Sequence, residues 1–158
     1  TTKIAFANMI GDIAFNADAN PGPILKAIGS DSRIGNKYLG YGYGYGGPCF
    51  PRDNRALAIY AEEKGIDALI SKASDESNKK HLEYQLQIFK KNADIKRSII
   101  VDYVTYKPQS TMLIESQQLL FAKRLAEEGY NIVIREREEV LKQVKKIHGD
   151  LFTYKRRD

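Results

Sequence analysis

Apolar residues recur at three- and four-residue steps from Thr2 to Ala17 (Ile4, Ala7, Ile10, Ile13 and Ala14), which predicts an amphipathic helix. The helix opens straight onto its apolar stripe, without a capping residue and polar first turn before it. Asn20-Pro21-Gly22-Pro23 breaks the pattern, and Pro23 is placed to open a short helix, Ile24 to Ile28, that Gly29 ends. From Ser30 to Pro51 the chain is glycine-rich and keeps neither a helical nor a strand period. A loop of that length in a compact domain is usually functional or disordered. Helical spacing returns from Arg52 to Lys64 through Ala56, Leu57, Ile59 and Tyr60, with Gly65 as the stop. A longer helix is expected over Asp75 to Asn92, with Leu82, Leu86 and Phe89 on one face.

The grammar then changes. Ser98 to Val104 is a short β-rich run, and a polar loop from Tyr106 to Met112 leads to a helix from Ile114 to Glu128 closed by Gly129. Asn131 to Ile134 reads as a second strand, Glu136 to Ile147 as a helix, and Leu151 to Tyr154 as a third strand. Strands alternating with helices specify a parallel sheet. The expected architecture is therefore a mainly α-helical domain over residues 1–93, followed by a small α/β unit, Rossmann-like with a parallel sheet, over residues 94–158.

Composition narrows the class. Hydrophobic residues make up 42% and charged residues 28%, a globular balance and not that of a disordered tail. No apolar run approaches the ~18 residues of a membrane span, and the first residues lack the features of a signal peptide, so a cytoplasmic protein is expected. The net charge of +5 favours anionic ligands, but both signs are mixed along the chain, as on a solvated surface. With one cysteine, an intramolecular disulfide is excluded, as is a zinc site built on several thiolates. His81, His148 and Cys49 show no ligand spacing, so no metal is expected.

The stretch from Gly40 to Asp53, Gly-Tyr-Gly-Tyr-Gly-Tyr-Gly-Gly-Pro-Cys-Phe-Pro-Arg-Asp, is the informative one. Glycines let a backbone approach a ligand closely and present its N–H groups. Cys49 lies where a helix is about to begin, and the positive end of a helix favours a thiolate nucleophile. Asp53, one helical turn on, is placed to hold a water or hydroxyl beside the sulfur. On residue pattern alone, a lone cysteine at such a junction is more often packed than catalytic. Aromatic–glycine tracts also occur in RNA-binding segments, but those run longer and carry Arg-Gly repeats, so no nucleic-acid partner is expected.

Two ordered runs carry a more specific resemblance: Arg33-Ile34-Gly35-Asn36-Lys37-Tyr38-Leu39 and Gly44-Tyr45-Gly46-Gly47-Pro48-Cys49-Phe50-Pro51-Arg52-Asp53. With Lys3 to Ile10 and Ala27 to Asp31 at matching spacing, residues 3–65 resemble the central segment of the UDP-glucose/GDP-mannose 6-dehydrogenase family, closest to its UDP-glucose type. A weaker likeness, Tyr106-Lys107-Pro108 with Glu115-Ser116 downstream, resembles the opening of that family's C-terminal nucleotide-binding domain. The resemblance implies an NAD-dependent oxidation of a sugar C6 alcohol to a carboxylate, with Cys49 as the nucleophile and Asp53 beside it. It implies substrate contacts by Arg33 (toward the neighbouring subunit's substrate), Tyr38, Gly46, Gly47 and Lys107. It implies a UDP-sugar substrate and a homodimer.

The departures set limits on this implication. No Gly-rich strand–turn–helix unit precedes Thr1, so the NAD site is expected largely outside this chain. Tyr103 stands where the family has a glycine, Ile114 where it has an arginine, and Thr111 and Met112 where it has an acidic pair. The sequence thus reads as a fragment that is inactive alone. The alternative is a non-catalytic binding or oligomerisation module that keeps the family's fold.

Overall fold

The structure is a computed structural model, and it describes residues 1–157. Contacts divide the chain into two compact units: Thr1–Tyr45 with Cys49–Tyr84, and Gly46–Pro48 with the chain from Gln85 onward.

The first unit is helical. It holds α1 (Thr2–Asn16), α2 (Pro21–Gly29), α3 (Phe50–Glu63) and the first part of α4 (Leu69–Asn92). α2 begins at Pro21 and not after Pro23, because Asn20 caps it: the Asn20 side chain accepts from Gly22 N–H at 2.9 Å, and Pro21 has no N–H to leave unpaired. α3 likewise starts earlier than its periodicity suggested, at Phe50 with Pro51 in its first turn. α4 starts at Leu69, six residues upstream of the expected Asp75. α1 keeps part of its predicted stripe, with Ala7 and Ala14 buried and Ile10 against the core, and departs from it at Ile13. It buries Ala5, Ala7, Asn8, Gly11 and Ala14, while Ile13 is 58% exposed. The small and polar residues face inward because an aromatic loop packs there: a Cβ on Gly11 would lie 1.8 Å from the Tyr41 ring. The apolar centre is correspondingly thin, with Ala7, Leu25 and Leu39 buried and Ile10, Ile28 and Tyr41 against them.

The second unit contains β1 (Ile99–Asp102), α5 (Gln117–Glu127), β2 (Ile132–Glu136), α6 (Glu138–His148), a 3-10 turn (Gly149–Leu151) and β3 (Thr153–Arg156). The strands form a parallel sheet in the order β1-β2-β3, with Val101 opposite Ile134 and Ile134 opposite Tyr154. Its core is aliphatic. Val101, Val104, Leu125, Ile132, Ile134, Val140 and Val144 are each at most 6% exposed. α6 carries Glu138 and Glu139 in its first turn and Lys145, Lys146 and His148 in its last, matching the helix dipole at both ends. The last part of α4 belongs here and not to the helical unit, so the compact units part at Tyr84 and Gln85 instead of near residue 93. Leu86 is 1% exposed, and Phe89 sets its ring edge-on to Phe121 (5.4 Å) and Tyr130 (6.5 Å).

Candidate functional site

The glycine–tyrosine tract is neither helix nor strand, so its backbone groups need partners from elsewhere. In the first unit they come from side chains on α1 and α4. Asn78 brackets Tyr45, accepting from its N–H and donating to its carbonyl, both at 2.9 Å. Asn8 accepts from Gly42 N–H at 3.1 Å. His81 Nε2 lies 2.6 Å from the Gly42 carbonyl, and its Nδ1 lies 2.8 Å from Asp12 Oδ2. Tyr41 donates its hydroxyl to Asp12 Oδ1 at 2.9 Å, and burial and this bond push its phenol well above the ordinary tyrosine range. Asn8, Asn78 and His81 are at most 7% exposed. The glycines make the fit possible: a Cβ on Gly44 would stand 2.3 Å from Asn78 Oδ1.

Asp12 and Asn78 belong to no motif in the sequence, and His81 has no ligand spacing that would mark it. The available signal was that Asn8 and Asp12 are four apart on an otherwise apolar helix, and Asn78 and His81 three apart beside Leu82. Lys3 opens the Lys3–Ile10 segment that carries part of the family resemblance. Its Nζ donates to the carbonyls of Ile34 (2.9 Å) and Gly35 (3.0 Å), which holds the Arg33–Lys37 turn against α1.

Cys49 is the N-cap of α3 and is exposed. Its side chain makes no capping bond among the described residues, while its carbonyl accepts from Asp53 N–H at 2.8 Å. The sulfur thus sits at the positive end of a fourteen-residue helix, open to a reactant. Asp53 occupies the first turn as expected, and its carboxylate accepts from Arg52 Nε at 2.7 Å. Arg33 is turned back onto Asp31, with Nε and Nη2 both bonded to that carboxylate, which holds the Asp31 carboxyl below its ordinary range. Tyr38 is 63% exposed at a φ of 62° and sets its ring edge 6.0 Å from Phe50.

Gly46, Gly47 and Lys107 lie in the second unit. Gly47 has a φ of 85°, its N–H donates to the Ile114 carbonyl at 2.9 Å, and a Cβ there would meet the Tyr106 ring. A Cβ on Gly46 would lie 2.1 Å from the Glu115 carbonyl oxygen. Both glycines are therefore required by close backbone packing, and the Gly47 N–H is already engaged. Lys107 Nζ rests 5.3 Å from the centre of the Tyr106 ring.

The same unit can be tested against a dinucleotide. The turn from β1 to α5, where such folds place their glycines, runs from Tyr103 to Ser116 without one. Tyr103 and Glu115 take positive φ (56° and 47°) with full side chains. The N-terminus of α5 is capped by Ser116 Oγ, which accepts from Leu119 N–H at 3.3 Å. Glu136 does end β2, where a ribose-binding acid would stand, but it is 1% exposed and accepts from Arg137 N–H. These residues do not fit NAD. Among the described residues no group of three or more His, Cys, Asp or Glu side chains could hold a metal ion, and no helix is long and apolar enough to cross a membrane.

Comparison with known proteins gives this arrangement its class. The family model for the UDP-glucose/GDP-mannose dehydrogenase family, central domain, matches residues 1–80. The chain belongs to that family. It is 31% identical over 150 residues to the UDP-glucose 6-dehydrogenase of Rhizobium meliloti (strain 1021), covering 93% of this chain and 34% of that one. It is 29% identical over 133 residues to the UDP-glucose 6-dehydrogenase AglM of Haloferax volcanii, covering 84% and 31%. Among solved structures, a UDP-glucose dehydrogenase from the hyperthermophilic archaeon Pyrobaculum islandicum superposes with a TM-score of 0.88 at 30% identity, over 97% of this chain and 36% of that one. The chain spans about a third of the length of the relatives it matches.

Proposed function

We propose that this chain carries the nucleophile-bearing part of a nucleotide-sugar 6-dehydrogenase, an oxidoreductase acting on UDP-glucose or a related UDP- or GDP-sugar in the cytoplasm. The observation that supports this most is the exposed Cys49 at the N-terminus of α3, just downstream of Gly46-Gly47 and inside the segment matched by the family's central domain. In this reading the Cys49 thiolate adds to the C6 aldehyde, forming a C–S bond, and the resulting alkoxide takes up a proton to give the thiohemiacetal. Once this has been oxidised to the thioester, water attacks the carbonyl carbon, the C–S bond breaks, and thiolate and uronate part. Asp53 orients that water, with the Arg52 guanidinium keeping its carboxylate in place. The oxidant implied by the family is NAD. The residues present do not fit it, so no step through it is assigned to them.

Arg33, Tyr38, Gly46, Gly47 and Lys107 retain, each in its own unit, the substrate-binding roles that the family resemblance attaches to them. A homodimer is part of the same reading. Phe6, Met9 and Ile13 follow one another at three- and four-residue steps along α1, and each is at least 40% exposed. A face of this kind is what a helical dimer covers. Light scattering at about 50 μM, where an interface of standard size is populated, should give the mass of two chains, and a monomer there counts against the dimer.

The test of function is titration of the isotopically labelled chain with UDP-glucose, UDP-N-acetylhexosamine and GDP-mannose. One of them should shift the Gly46–Cys49 and Lys107 resonances, and Cys49→Ser should leave that affinity within a few-fold. With NAD added, the 158 residues alone should form no NADH. Absence of binding by all three sugars at millimolar concentration would overturn the reading in favour of a module that keeps only the fold.

A further inference from the structure

We propose that Asp12 and His81 share a single proton that clamps the glycine–tyrosine loop at Gly42. The inference follows from which atoms can donate. The Gly42 carbonyl only accepts, so His81 Nε2, 2.6 Å away, must carry a hydrogen. A neutral ring then has a bare lone pair on Nδ1, and Nδ1 faces both oxygens of Asp12, at 2.8 and 3.0 Å. Asp12 Oδ1 is already accepting from the Tyr41 hydroxyl. The Nδ1–Asp12 contact is bonding only with one more proton between them, whichever group is said to own it.

Removal of that proton would set a lone pair against a carboxylate at hydrogen-bond distance, around a side chain that is 2% exposed. Water cannot relieve the repulsion unless the ring or Gly42 moves. The shared proton therefore keeps the clamp closed, and its loss opens it.

The groups facing the pair come from three elements. α1 contributes Asp12, and Asn16, which donates to the Tyr84 hydroxyl at 3.1 Å. The loop contributes Tyr41, whose ring stands edge-on to the imidazole at 5.5 Å. α4 contributes Tyr84 and, along the groove that His81 and Asp12 line, Glu76 and Lys80, which pair with each other at 3.6 Å. Burial and Asp12 raise both phenols, so neither tyrosine supplies a competing negative charge where an imidazole titrates. Asn8 and Asn78 hold Gly42 N–H and Tyr45 with groups that do not titrate. Opening the clamp thus loosens the tract around Gly42 without releasing it at Tyr45.

The test of the clamp needs no substrate. The sequence has two histidines, His81 and His148, so His148→Gln leaves one ring to follow. In the 158-residue chain, long-range nitrogen–proton spectra should show both His81 ring nitrogens protonated or sharing a proton with Asp12 at the low end of the pH range measured. Raising the pH should remove that proton. The protection of the Gly42 and Tyr43 amides, corrected for intrinsic exchange, should fall about tenfold over the same interval while that of Tyr45 changes less. Asp12→Asn should abolish the pH step, and Asp12→Glu should restore it. Unchanged protection on loss of that proton, or a bare Nδ1 throughout the pH range measured, would overturn the clamp. Either result leaves sugar binding and Cys49 chemistry untouched, so the two proposals fail separately.

Discussion

The two units stabilise irregular and regular backbone by opposite means. In the α/β unit the strands satisfy one another, Ile99 to Asp102 against Ile132 to Arg135 and Val133 to Glu136 against Thr153 to Arg156. Its interior is left to aliphatic side chains such as Leu125, Ile134 and Val144, each fully buried. In the helical unit the glycine–tyrosine tract has no strand beside it, and Asn8, Asn78, His81 and Asp12 supply its partners. Alanines and Gly11 then occupy positions where a core would otherwise place leucines. A buried polar network positions a loop accurately, but each member lost leaves a desolvated group behind. An aliphatic core contributes more stability and specifies less about any one loop.

The largest effect that would sharpen this comparison is truncation in the aliphatic core. Leu125→Ala should cost about 2–5 kcal/mol. Chemical denaturation, followed by near-ultraviolet signals and by resonances of each unit, should show the loss in the α/β unit. A loss below about 1 kcal/mol would mean that this core is looser than its burial implies.

Next is the network. Asn78→Ala strips partners from both the N–H and the carbonyl of Tyr45, and should cost about 1–3 kcal/mol. Asn78→Asp keeps the acceptor for the N–H and should recover part of that loss in the same denaturation assay. Equal losses for the two variants would show that side-chain packing, and not the paired bonds, holds Tyr45.

The close approach of loop and helix gives a third contrast. Gly11→Ala places a Cβ 1.8 Å from the Tyr41 ring and should destabilise by about 1–3 kcal/mol. Gly40→Ala meets open space and should lie within about 0.5 kcal/mol of the parent protein. If both are neutral, the tract is not seated against α1 as described.

The smallest effect lies on the sheet surface. Arg135 donates to both Asp102 oxygens at 2.7 Å, and those bonds lower the Asp102 carboxyl below its ordinary range. A depressed carboxyl adds stability above its unfolded value, and the contribution disappears as pH falls through the lowered folded one. Arg135→Ala should therefore lower stability only slightly near neutrality. The difference from the parent protein should vanish in acid, once pH has fallen through the lowered folded value. A difference that persists there would mean that the arginine stem, and not its charge, carries the effect.

The residue pattern was most legible where apolar side chains pack on regular backbone. The βαβα order, the parallel sheet and the Gly129 stop follow from periodicity because each strand and helix there buries one continuous face. Cys49 at the start of a helix and Asp53 in its first turn were legible for a local reason, since a helix start depends on neighbouring residues. Periodicity put Ala7 and Ala14 inside but missed Asn8 and misplaced Ile13, because which of those two is buried depends on a loop some thirty residues away. Tertiary structure also assigned the Gly47 N–H to the Ile114 carbonyl and turned Arg33 onto Asp31. It set His81 between a carboxylate and a carbonyl. Hydrophobic spacing is written along the chain, whereas the partner of a polar group is chosen only when distant segments meet, and no local pattern records that choice.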